Sequence, residues 1–139
     1  MSGHILFLCT GNSARSQMAE GLVNSLWGRK WQAYSAGTAP VGYVHPLAIR
    51  VMAEWGIDLS QGRSKGVDVL RGMDFDLVVT VCDDAARDCP LWLGGGKKVH
   101  LGFPDPAKVG GTEEERLAAF RQVRDGLYKR LSRLLGEAK

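Results

Sequence analysis

Cys9 and Arg15 bracket a short polar turn, "CTGNSAR", set between the apolar run "HILFLCT" and an amphipathic stretch that begins at Ser16. Successive backbone N–H groups around Gly11, Asn12 and Ser13 can curl into an anion nest, and a helix starting near Ser16 adds its positive end. The Arg15 guanidinium is a planar fork suited to two oxygens of a tetrahedral oxyanion. A thiol beneath such a nest is favoured as thiolate, because helix N-termini and cations stabilise the anion. The chemistry implied is nucleophilic attack at phosphorus or arsenic. The plainer alternative, a buried core cysteine beside an ordinary turn, fits Cys-x5-Arg taken alone. It fits less well with the strand before it, the small polar residues within it and the helix after it.

Two further thiols, Cys82 and Cys89, lie seven residues apart in "CDDAARDCP". On a helix they would share a face but stand about 10 Å apart along the axis. A disulfide needs α-carbons within about 7 Å, so joining them requires that segment to unwind or loop out. Packing at the end of a valine-rich strand for Cys82, and a surface thiol for Cys89, are the alternatives. Asp83 and Asp84 also disfavour an easily ionised thiol beside them. Zinc is a poor fit, because Cys-x6-Cys is not a usual ligand spacing. Asp105 sits between two prolines in "FPDPAK", a stiff loop where aspartate is also a common turn residue. His4, His45 and His100 have no paired acid at recognisable spacing and read as structural or surface residues. Trp27, Trp31, Trp55 and Trp92 read as core and loop packing.

The elements that must position these groups alternate along the chain. Strands are expected at His4–Thr10, Trp31–Gly37, Phe75–Cys82 and Lys97–Phe103, short apolar runs of the kind buried on both faces. A first helix carries Met18, Ala19, Leu22, Val23, Leu26 and Trp27 at helical spacing and stops at Gly28. A second opens at Pro46, carries Leu47, Ala48, Val51, Met52 and Trp55, and is closed by Gly56. A third is capped by Thr112 with Glu115, and its stripe runs through Leu117, Phe120, Val123, Leu127, Leu131 and Leu134. Strand–helix alternation of this kind implies one α/β domain over residues 1–139, a four-stranded parallel sheet with helices on both faces. Sites in such folds lie beyond the carboxyl ends of the strands, where Cys9, Cys82 and Asp105 all fall.

Composition supports that reading and excludes others. The chain has 139 residues, 45% hydrophobic and 24% charged, which is globular rather than disordered. A net charge of +3 suits small anions and falls far short of a nucleic-acid binder's basic stripe. No run approaches the roughly 18 apolar residues of a membrane span. The start "MSGHILFLCT" lacks a basic leader region and a cleavage site, so a cytoplasmic protein is expected. Three cysteines is an odd number that no closed set of structural disulfides uses up.

The run "CTGNSARS" resembles the phosphate-binding loop of the low-molecular-weight protein tyrosine phosphatase superfamily. The likeness continues through "SQMAEG", "YSAGT", "GIDLS", "DLVVTVCDDAARDCP", "GFPDPAK" and "RQVRDGL", covering most of the chain. Together these motifs are more similar to the thioredoxin-coupled arsenate reductases of that superfamily than to a phosphatase proper. The resemblance implies that Thr10, Gly11, Asn12, Ser13, Ala14 and Arg15 hold the oxyanion, arsenate or its mimics phosphate and sulfate. It implies Cys9 as nucleophile, Ser16 as the hydroxyl that steadies its thiolate, and Asp105 as general acid. It also implies a relay in which Cys82 attacks Cys9, Cys89 attacks Cys82, and thioredoxin reduces the product. Ser16 could equally be a helix N-cap.

One arsenate reductase branch carries potassium behind the loop. Asn12, Glu20 and Ser35 match three of its ligands, but Lys65 stands where the fourth, an aspartate, would be, so no potassium requirement is expected. Ala14 replaces an extra cysteine of some relatives. No cofactor and no resident metal are expected, and the protein is expected to act as a monomer. The rival enzyme is a phosphomonoester or tyrosine phosphatase, for which Tyr43 is the one obvious aromatic at the site's mouth; weak phosphatase activity fits either enzyme. A thiol switch or oxyanion-binding module is the non-enzymatic reading, and it leaves Arg15 and Asp105 without a task.

Overall fold

A computed structural model describes residues 3–82 and 95–136 of the chain. Four strands, β1 (Gly3–Cys9), β2 (Trp31–Gly37), β3 (Leu77–Thr80) and β4 (Lys97–His100), form one sheet of order β2-β1-β3-β4. All three pairings are parallel, with Leu8 opposite both Ala36 and Thr80. β1 is central, and Ile5, Leu6, Phe7 and Leu8 are fully buried, which is why its sequence shows no polar alternation.

The faces of β1 serve two packing clusters. Ile5, Phe7 and Cys9 point into the larger one, shared with α1 (Arg15–Leu26), α2 (Pro46–Ala53) and α3 (Glu113–Leu135). Leu6 and Leu8 point into the smaller one with Ala36, Val78, Leu70 and Phe75. The sheet is therefore covered on both sides, as its strands require. Among the described residues, the three α-helices gather on one face, and the 3-10 turn Val67–Leu70 covers the other.

Element boundaries follow local chemistry. The box expected at α3 is present: Thr112 Oγ1 accepts the Glu115 amide, and the Glu115 carboxylate accepts the Thr112 amide. β4 is shorter than the apolar run suggested. Leu101 N still bonds Thr80 O at 2.8 Å, but the chain then turns away toward Pro104, which has no amide proton to continue a ladder. α2 ends at Ala53 rather than Trp55, because the next residues tighten into a turn and Gly56 takes a φ of +74°. Among the described residues, no helix is long and apolar enough to cross a membrane.

α2 is clamped to α3 through one carboxylate. Glu54 accepts from Arg121 and from Arg124, both at 2.7 Å, while Arg124 also donates to Val51 O and lies 4.2 Å over the Trp55 ring. Trp55 is thus a platform on the surface, 40% exposed, rather than core packing. The hydrogen bonds from Arg121, then those from Arg124, hold the Glu54 carboxyl well below the usual range, at about 2. A depressed carboxyl contributes stability above its unfolded pKa and loses it as pH falls toward the folded value. Thermal melts of Glu54→Gln should therefore lie below the parent's at pH 6, and the gap should close between about pH 4.5 and pH 2. Glu54 and Arg121 are exposed, so salt should shrink their share of the gap as well.

Candidate active site

The loop between β1 and α1 is built by turning its carbonyls outward. Thr10 O accepts from Ala39 N, Gly11 O from Val41 N and Ser64 Oγ, and Asn12 O from Gln17 Nε2. Ser13 O accepts from His45 N, and Ala14 O from Met18 N. In a trans peptide the N–H of the next residue points opposite to the carbonyl, and every described peptide here is trans. The amides of residues 11 to 15 therefore face the concave side, where the Asn12 amide donates to Cys9 Sγ at 3.3 Å. That curl needs a left-handed residue, and Asn12 supplies it with φ +48°, a conformation asparagine tolerates better than most.

Asn12 is also the loop's internal brace, fully buried. Its Nδ2 donates to Ser16 Oγ at 2.8 Å, and its Oδ1 accepts from Gln17 Nε2 and from Lys65 N. The neighbouring strand comes in so close that only glycine fits at its end. A Cβ on Gly37 would meet Thr10 O and lie 2.8 Å from Cys9 O.

Cys9 is a free thiol at the floor, 2% exposed, with Ser16 Oγ 2.9 Å from its sulfur. Ser16 is not the helix cap. α1 begins at Arg15, its cap residue is Ala14, and no side chain bonds there. The Ser16 hydroxyl is instead committed to the sulfur and to Asn12. Arg15 is held by its Nη1–H to Phe103 O at 3.0 Å, with Nη2 3.8 Å from Asp105 Oδ2. Asp105 is a turn cap, with Oδ1 accepting from Ala107 N, and its Oδ2 faces the guanidinium.

These groups enclose a cavity of about 140 Å³ lined by Cys9, Gly11, Ser13, Ala14, Arg15 and Asp105. Its rim adds Val41 and Tyr43, which are 51% and 57% exposed, and its wall adds His45. Tyr43 thus occupies the mouth, as an aromatic there would. His45 is the residue that sequence reasoning missed: no acid at short spacing marks it, and a fold contact brings it in. The strand order accounts for the location, since the chain leaves β1 toward β2 on one side while β3 pairs on the other, opening a crevice at the switch point.

Cys82 stands just after β3, fully buried, with its sulfur 3.8 Å from Leu8 O. It is not among the residues that line the cavity, and it is disulfide-bonded. Cys89 and Trp92 lie outside the described residues. Behind the loop, Glu20 accepts from Ser35 Oγ at 2.9 Å and has Lys65 Nζ at 3.9 Å. Burial pushes the Glu20 carboxyl up, and Lys65 and Ser35 oppose it. An ammonium thus lies beside the carboxylate that matched a cation ligand. Among the described residues, no group of three or more His, Cys, Asp or Glu could hold a metal.

The same architecture recurs in known proteins. The chain is 50% identical over 127 residues to an arsenate reductase of Halalkalibacterium halodurans, covering 91% of each. An arsenate reductase structure from Archaeoglobus fulgidus superposes with a TM-score of 0.80 at 31% identity, over 96% of this chain and 99% of that one. A thioredoxin-dependent arsenate reductase from Corynebacterium glutamicum aligns with a TM-score of 0.61 at 27% identity, over 96% of this chain and 63% of the other. The sequence model for low molecular weight phosphotyrosine protein phosphatases matches residues 4–139, so the chain belongs to that family.

Proposed function

We propose that this protein reduces arsenate to arsenite through Cys9, Cys82 and Cys89, and that thioredoxin restores the thiols. The observation that carries the reading is the burial of two cysteine sulfurs at neighbouring strand ends, Cys9 under an inward-facing amide loop and Cys82 beside the Leu8 carbonyl. The names of the relatives agree with it. Cys9 attacks arsenic, an arsenate oxygen leaves as water with a proton that Asp105 supplies, and a sulfur–arsenic bond forms. Cys82 thiolate then attacks Cys9 Sγ. The sulfur–arsenic electron pair stays on arsenic, which leaves as arsenite, and a Cys9–Cys82 disulfide remains. Two thiols have supplied the two electrons.

A disulfide between side chains that are 2% and 0% exposed is out of reach of a protein reductant. Attack of Cys89 on Cys82 frees Cys9 and moves the disulfide to a pair that thioredoxin can meet. Phosphate-ester hydrolysis is the second reading, favoured by the exposed Tyr43 and Val41 at the mouth.

Arsenate-dependent NADPH oxidation with thioredoxin and thioredoxin reductase is expected to show turnover, at equal rates in potassium and in sodium because Lys65 pairs with Glu20. No turnover, with phosphate-ester hydrolysis intact, would make the protein a phosphatase.

A further inference from the structure

His45 lines the cavity, yet the relay gives it no task. One of its ring nitrogens is already assigned. Nδ1 accepts the Leu47 amide at 3.1 Å, capping α2, and a nitrogen that accepts carries no proton. The neutral ring must then hold its proton on Nε2, which diverges from the capped amide. The ring is backed by Phe120, with centroids 4.7 Å apart, so its plane is fixed from behind. Its main chain is tied to the cradle, since His45 N donates to Ser13 O at 2.9 Å.

The charged groups around the ring come from two directions: Asp105 from the loop after β4, and Arg116 from α3. Burial first, and Arg116 second, hold its ionisation below the ordinary histidine range, with Asp105 opposing. The ring is therefore a neutral donor at neutral pH.

We propose that His45 is an oxyanion-binding residue, donating its Nε2–H to a terminal oxygen of a tetrahedral oxyanion in this cavity. The proposal rests on the reading of the β1–α1 loop as an oxyanion cradle. A neutral donor adds a directed hydrogen bond where a second cation beside Arg15 would repel it. This places specificity in the wall as well as in the loop.

Two substitutions separate the nitrogens. Asparagine reproduces the cap at Nδ1 and removes the donor, whereas glutamine reaches to Nε2 and weakens the cap. Inorganic phosphate is titrated calorimetrically into the parent, His45→Asn, His45→Gln and Arg15→Lys, and each is melted without ligand. His45→Asn is expected to melt with the parent and bind phosphate about tenfold more weakly, the loss expected for one hydrogen bond to an anion. His45→Gln is expected to melt earlier and keep most of the affinity. Parent-like binding by His45→Asn, with Arg15→Lys weakened, overturns the role of His45 and leaves the cradle standing. Undiminished binding by both His45→Asn and Arg15→Lys overturns the role of His45 and leaves the loop amides alone to hold the anion, and no phosphate binding by the parent overturns the cradle reading itself. Affinity that falls in step with melting temperature in both histidine variants makes His45 a structural cap and overturns the proposal.

Discussion

Cys89→Ser is expected to release one arsenite per chain and then stop, even with thioredoxin, its reductase and NADPH in excess. The first two steps of the proposed relay need only Cys9 and Cys82, which sit at the ends of adjacent strands, β1 and β3. The product, a Cys9–Cys82 disulfide, would join side chains that are 2% and 0% exposed. Thiol exchange requires in-line access of the attacking sulfur, which a folded partner cannot gain there. Cys82→Ser should fail one step earlier, holding an adduct on Cys9 and releasing no arsenite. Cys9→Ser should fail at the start. In steady state all three should fall by on the order of 10³-fold or more, because residues acting as one unit cannot be lost singly. The discriminating measurement is arsenite released per chain in a single turnover of the reduced protein. Values near one, zero and zero for the Cys89, Cys82 and Cys9 variants fit the relay. Sustained turnover by Cys89→Ser would remove that residue from the mechanism.

Arg15→Lys carries the second large expected loss, about 10²- to 10³-fold in kcat/KM, as for removal of an oxyanion donor. The side chain is 8% exposed and does two things at once. Nη1 anchors to Phe103 O, which fixes the plane of the guanidinium, and Nη2 lies toward Asp105. A lysine ammonium keeps the charge but has neither the fork nor the reach to serve both. Asp105 would then face the cavity without its planar neighbour, and the oxyanion would lose a two-point contact. The loss should appear both in phosphate affinity and in the first chemical step. The lost bond to Phe103 O should also cost about 1 kcal/mol of stability, so melts must accompany the kinetics. A variant that binds phosphate normally would show that the loop amides alone hold the anion.

Part of this machinery was readable because it is local. Cys9, the small residues after it and Arg15 lie on one strand–turn–helix unit, and the spacing of a single turn determines which way its amides face. Thr112 and Glu115 were readable for the same reason, since a capping box closes within four residues. Ser16 shows where local reading divides. A serine at a helix start is a cap by default, and only the path of the loop sends its hydroxyl to Cys9 Sγ and leaves Ala14 as an uncapped start.

The tertiary structure decided the rest, because those contacts join residues far apart in the chain. The order β2-β1-β3-β4 sets Cys82 against Leu8 and opens the crevice, and no spacing within one strand encodes which neighbour it pairs with. Arg15 meets Phe103 across 88 positions, Lys65 braces Asn12 across 53, and His45 reaches the cavity wall by its bond to Ser13. From its sequence alone this protein shows a thiol at the start of a small polar turn whose amides suit an anion. Packing supplies what the turn faces, since the burial of the sheet core fixes the strands and the strands fix which distant side chains meet there.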